Sequence, residues 1–204
     1  MSAVAAPHPA LRRVVARVAA LNLAYFGVEF AVALAIGSVA LMADSVDFLE
    51  DAAVNGLIVL ALGWSLARRA RVGMAMAALI LVPSLATLWM LVTKLGDPVP
   101  PLSAPMALAG LGALVINLAC ARMLVAHRHA GGSLTRAAFL SARNDALANI
   151  AILTAAGVTL MTASGWPDIV VGAGIALLNA DAAREVWQAA RGEARAADTD
   201  GARA

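Results

Sequence analysis

Six apolar stretches, each about as long as a bilayer is thick, limit what this chain can become more than any other feature. Crossing roughly 30 Å of hydrocarbon at 1.5 Å per residue takes about 20 helical residues, and runs of that length lie between charge clusters and turn signals along the whole sequence. The first is predicted from about Val14 to Gly37 and the second from Val39 to Leu66, separated only by the tight Gly37-Ser38 joint. The third runs from Val72 to Leu95 and contains Pro83, which predicts a kink. Asp97-Pro98-Val99-Pro100-Pro101 is a rigid linker, after which Ser103 is placed to cap a fourth helix ending near Val125. A polar loop from His127 to Ser133 precedes a fifth helix, about Ala137 to Ala163, and Gly165-Trp166-Pro167-Asp168 restarts the chain into a sixth ending near Ala190. The fold class that follows is an all-α integral membrane protein with six transmembrane helices in residues 12–190, flanked by short disordered tails at 1–11 and 191–204.

Composition and charge agree with that class. Hydrophobic residues make up 62% of the chain and charged residues 14%, where a soluble domain carries about 25% charged residues. An ordinary soluble enzyme, a nucleic-acid binder and a disordered chain are thereby excluded. The pI of 9.3 accompanies a net charge of only +2, with the basic residues at the ends of apolar runs, so the basicity is topological. Thirteen basic residues fall on one side of the spans: Arg12, Arg13, Arg17, Arg68, Arg69, Arg71, Arg122, Arg128, Arg136, Arg184, Arg191, Arg195 and Arg203. Lys94 alone falls on the other, and Arg143 sits inside the fifth span. That asymmetry predicts both termini in the cytoplasm. Trp64, Trp89, Trp166 and Trp187 lie toward span ends, as interfacial anchors do. The N-terminal apolar run reads as the first helix rather than a cleaved leader, because Glu29 interrupts it and no small-residue cleavage site follows at the right distance. With a single cysteine, Cys120, neither an intrachain disulfide nor a multi-cysteine metal site can form.

The informative residues are the acids inside the spans. Glu29 lies in the first helix, Asp44, Asp47, Glu50 and Asp51 in the second and Asp145 in the fifth, against the one intramembrane base, Arg143. Each charge at mid-bilayer costs about 2.5–3.5 kcal/mol on insertion scales, and one arginine cannot neutralise six acids. Asp47, Asp51 and Asn55 are four apart and share a helix face, and Ser141, Asp145 and Asn149 repeat the spacing in the fifth helix. Counted from their helix ends, Asp51 and Asp145 both fall near the bilayer midplane, and the antiparallel ladders form a faint inverted repeat of the kind found in transporters. Three carboxylates converging in low dielectric repel one another and are poorly solvated, so without a cation some should hold protons. A divalent cation displaces those protons, and exchange of metal for protons follows from the chemistry of the site. The predicted ligands are Asp47, Asp51 and Asp145, with the Ser141 hydroxyl as a fourth candidate. Asn55, Asn144 and Asn149 are read as supporting hydrogen-bonding groups, with Asn144 also a candidate for direct ligation. Arg143 either pairs with a neighbouring acid or points to cytoplasmic water, and the second reading is favoured. Glu29 shares a face with Asn22 and serves either as a proton relay or in an interhelical bond.

The run Gly37-Ser38-Val39-Ala40-Leu41-Met42-Ala43-Asp44-Ser45-Val46-Asp47-Phe48-Leu49-Glu50-Asp51 resembles the second-helix signature of the cation diffusion facilitator family, six-helix metal efflux proteins. In that family four-apart pairs on the second and fifth helices bind the transported metal; Asp47 and Asp51 match the first pair, and Ser141 and Asp145 take the places of the second. The resemblance covers about Arg12 to Ala190, and Ser141-Ala142-Arg143-Asn144-Asp145 is similar to the short bacterial members that lack a C-terminal cytoplasmic domain. It implies secondary transport of a divalent metal out of the cytoplasm against protons, a homodimer, and a multi-pass location in the bacterial inner membrane. No prosthetic group is implied; the metal is the transported substrate. This chain departs from the zinc-selective pattern in having no histidine in any span, and His127 and His129 are all it offers where many relatives have a His-rich loop. Carboxylate and hydroxyl oxygens suit harder ions such as Mn²⁺, whereas the resemblance favours zinc and cadmium. Zinc ranks first, with cadmium, cobalt, manganese and iron open. The competing readings are a passive cation channel, an intramembrane hydrolase, for which no His-Glu-x-x-His motif or Gly-Asp pair is present, and an assembly protein, disfavoured by the cost of the buried acids.

Overall fold

The computed structural model describes residues 9–60, 64, 66–125 and 132–180, without the side chains of residues 9, 11, 66, 67, 69, 70 and 132–143. Five long helices follow one another: α1 (Pro9–Ile36), α2 (Val39–Leu60), α3 (Leu66–Gly96), α4 (Ser103–Val125) and α5 (Gly132–Thr162). A sixth, α6, is described over Trp166–Ala180. Relative to the sequence reading, α1, α3 and α5 begin earlier, at Pro9, Leu66 and Gly132, so that Leu66 opens α3 instead of ending the second span, and α3 runs unbroken through Pro83. Ser103 is the first residue of α4, and the Leu102 carbonyl takes its first hydrogen bond, from Met106 N at 3.1 Å. The tails at 1–8 and 181–204, with Trp187, and the loop carrying His127 and His129 lie outside the described residues.

By length and composition α1, α3, α4 and α5 are apolar enough to cross a membrane. α2 does not meet that measure because it carries four acids within eight residues, and α6, described over Trp166–Ala180, is an apolar helix below that length. The chain is a multi-pass helical membrane protein in which the acid-bearing helix is shielded by the others. α1 packs along α2 and α4 along α5, α3 covers another side of α2, and α2 meets α5 over a short stretch only. From Val39 to Val46 every residue of α2 is buried. Small residues make this possible: Ala33, Ala40, Ala43, Ala109, Ala155 and Ala156 form the main core with Leu41, Met42, Met106, Ile152 and Ile175, so the backbones approach closely. Leu81, Val82, Trp89, Leu108, Leu160 and Met161 point outward instead, the apolar surface that a bilayer solvates.

The α1–α2 joint shows how the sequence fixes the start of α2. Gly37 adopts the left-handed conformation with φ of 65°, and Ser38 N donates to Ala33 O at 3.1 Å, closing α1 in a Schellman motif. Ser38 then caps α2: its hydroxyl accepts from Leu41 N at 3.2 Å and donates to Asp168 Oδ1 at 2.6 Å. Asp168, at the start of α6, also accepts from Val39 N at 2.9 Å and Ala40 N at 3.1 Å. Lys94, from the last turn of α3, closes the group with a 2.9 Å ion pair to Asp168 Oδ2. A carboxylate at a helix N-terminus satisfies orphan N–H groups and opposes the helix dipole, so one side chain joins α2, α3 and α6. Two glycines hold the same end together. A Cβ on Gly172 would stand 2.7 Å from Ala40 N, and one on Gly165 would collide with the Pro98 carbonyl.

Removing Asp168 strands a lysine and three donors at a buried junction. Asp168→Ala is predicted to cost about 3–5 kcal/mol and Ser38→Ala about 1 kcal/mol. Denaturant unfolding in detergent measures both; an Asp168→Ala midpoint equal to that of the parent would contradict the assignment.

Candidate cation site

Asp47, Glu50 and Asp51 follow one another at i, i+3 and i+4, which places them on a single face of α2. That face opens onto a cleft of about 780 Å³, where Asn144 and Asp145 of α5 stand opposite and α6 supplies an apolar wall of Val170, Val171, Gly174, Ile175 and Leu178. Four carboxylates and two amides, Asn144 and Asn179, are thus the polar lining of one cleft. α6 reaches this position because it is anchored to α2 at two levels: Asp168 at the first turn of α2, and Asn179, whose Nδ2 donates to the Ala43 carbonyl at 2.9 Å.

The predicted residues divide into three groups. Asp47, Asp51 and Asp145 share the cleft with Asn144. Asn55 and Asn149 do not line it: Asn55 Nδ2 donates back along its own helix to the Asp51 carbonyl at 2.8 Å, while Asn149 Nδ2 reaches across to Asp44, at 3.0 Å from Oδ1 and 2.9 Å from Oδ2. Ser141 and Arg143 lie in α5, but their side chains are outside the described residues. Among the described residues no group of three or more His, Cys, Asp or Glu stands close enough together to hold a metal ion. The carboxylates line a common wall without meeting at one point.

Several residues that sequence reasoning left without a role bear on the site. Glu50 is the fourth carboxylate of the cleft, and its Oε1 is buried without a partner; its position three residues after Asp47 was the available signal. Asn22, fully buried in α1, donates from Nδ2 to Asp51 Oδ2 at 3.4 Å and accepts from the Cys120 thiol at 3.9 Å. The Lys94–Asp168 pair had a weaker signal, a lone base on the side of the membrane where the sixth helix begins with an acid.

Comparison with known families places the chain. Residues 15–190 match the model of the cation efflux transmembrane domain, and the chain belongs to that family. Comparison with curated proteins gives no match. Membership assigns the protein to transport rather than catalysis, and supports a transport function for divalent cations with the metal as passing substrate.

A cleft that admits a cation must also admit water. In a background whose one native thiol, Cys120, is only 2% exposed, Ala148→Cys on the cleft wall is predicted to react with a water-soluble thiol reagent. Ala113→Cys, at a position with no exposed surface, should not. Equal protection of the two positions would show that the cleft is dry.

Proposed function

We propose that this protein exports a divalent transition metal from the cytoplasm in exchange for protons, using the carboxylate-lined cleft between α2, α5 and α6 as its binding site. The observation that carries the reading is the cleft itself: Asp47, Glu50 and Asp51 from one helix and Asp145 from another, inside a cation efflux domain. Asp47, Asp51 and Asp145 act as ligands, with the Ser141 hydroxyl as a fourth, and Glu50 adds negative charge at the rim. Because the carboxylates are spread along the wall, holding an ion requires α2 and α5 to approach each other. Their short mutual contact leaves that freedom. Closure would bring ligands from both helices onto the metal and expel water, which strengthens each metal–oxygen interaction.

Oxygen ligands admit zinc, cadmium, cobalt, manganese and iron, and zinc ranks first. The arginine asymmetry supports both termini in the cytoplasm, hence a multi-pass protein of a bacterial cytoplasmic membrane. Two copies pairing through the bilayer is the assembly implied by the family resemblance, without a prosthetic group.

Transport in proteoliposomes tests the reading. Loss of an outer-shell partner typically costs 10–100-fold in metal affinity, and loss of a ligand should exceed that: Asp51→Ala and Asp145→Ala are predicted to lower metal flux by more than about 100-fold while the protein still inserts and folds. Full efflux by both variants would sink the proposal. Metal flux in the parent that ignores an imposed pH gradient would favour a passive channel.

A further inference from the structure

About one turn of α2 from Asp47, away from Asp51, three side chains from three helices meet in the protein interior. Glu29 of α1, Asp44 of α2 and Asn149 of α5 all have 0% exposure. Asn149 gives its amide N–H groups to both oxygens of Asp44, and its own Oδ1 receives nothing. The Glu29 carboxyl lies against that of Asp44, and neither Glu29 oxygen finds an N–H or O–H donor. Tyr25, one turn before Glu29, does not supply one, because its hydroxyl donates to the Ala109 carbonyl at 2.6 Å. Asn179 of α6 is engaged by the Ala43 carbonyl, and Lys94 is held by Asp168.

Two carboxyl groups in contact, with no donor or cation for one of them among the described residues, are an arrangement that a dry interior does not tolerate as a pair of anions. One proton between them converts repulsion into a short, charge-assisted hydrogen bond. We propose that Glu29 and Asp44 form a proton-binding site, oriented by Asn149, whose shared proton is released when a divalent cation enters the cleft. This rests on the transport reading above. The other titratable groups facing the pair are Tyr25 on α1, Asp47 on α2 and Asp145 on α5. The last two line the cleft.

Asp44 precedes Asp47 by three residues, about 4.5 Å along the helix axis. A doubly charged ion at Asp47 therefore stabilises the pair as a dianion. The O–H bond of the pair breaks, its electrons stay on the carboxylate, and the proton passes to water in the cleft; the pair goes from one negative charge to two as the metal brings two positive ones. Reprotonation reverses the bias and favours release of the metal. The exchanged proton thus has a place of its own, separate from the metal ligands, and Asn149 couples it to α5.

The test is proton release per metal bound by the purified full-length chain, from calorimetry in buffers of different protonation enthalpy with zinc, cadmium and manganese as probes. Glu29→Gln is predicted to bind the metal that the parent binds and to release about one proton fewer, and Asp44→Asn to behave in the same way. Infrared difference spectra of the parent should show loss of carboxylic-acid carbonyl intensity on metal binding, with part of that loss missing in Glu29→Gln and in Asp44→Asn, so that either variant suffices where the other does not fold. An unchanged proton count in both variants, or a parent spectrum without such a loss, overturns this inference while leaving the metal site standing. No binding of any of the three metals by the parent overturns both.

Discussion

A carboxylate in hydrocarbon has to be covered by protein, and α2 carries four of them between Asp44 and Asp51. The rest of the bundle is arranged around that requirement. α1 and α3 flank α2, and α5 and α6 close the remaining side, so that the helix least suited to lipid is the one least exposed to it. At about 2.5–3.5 kcal/mol per charge on insertion scales, leaving all four in lipid would cost on the order of the whole stability of a domain. Small side chains at the contacts, Ala33, Ala40, Ala43 and Ala109 among them, bring the backbones close enough to exclude lipid from the acids.

Covering the acids does not mean pairing them. The ion pair of Lys94 with Asp168 is at the start of α2 and serves to fix that end. Further along the helix, amides meet two of the acids: Asn149 donates to Asp44 and Asn22 to Asp51. An anchored end and an acid-rich middle together form a site with a rigid support and a concentration of negative charge. In the proposed function, metal and proton are the two ways of balancing that charge. α2 is held at its first turn by α3 and α6 but touches α5 only briefly, so in the proposed transport cycle closing on a cation is a movement of α5 relative to a fixed acid ladder.

Much of this was legible in the sequence, for physical reasons that can be named. Helix number and approximate ends follow from bilayer thickness and from the turn chemistry at Gly37-Ser38 and Asp97 to Pro101. The four-residue spacing of Asp47 and Asp51 put them on one face, and the structure brings Asp145 to the same cleft. What spacing could not supply is azimuth between helices. Asn149 has the same spacing from Asp145 as Asn55 from Asp51, yet it reaches Asp44, because α5 crosses α2 there and turns its amide away from the cleft. The roles of Asp168, Asn22 and Asn179 depend on contacts separated by 29 to 136 residues along the chain, and no local pattern encodes those.

The most direct test of the central claim is the ligand shell of the bound metal, read by X-ray absorption on the purified protein loaded with zinc or cadmium. Among the described residues the polar lining of the cleft is carboxylate and amide, both of which ligate metals through oxygen, and the Ser141 hydroxyl proposed with them is oxygen too, so the predicted shell contains oxygen alone. Imidazole scattering or a sulfur neighbour would contradict the account, since it would move the metal to a histidine, to Cys120 or to a methionine and away from the carboxylates of the α2–α5 cleft.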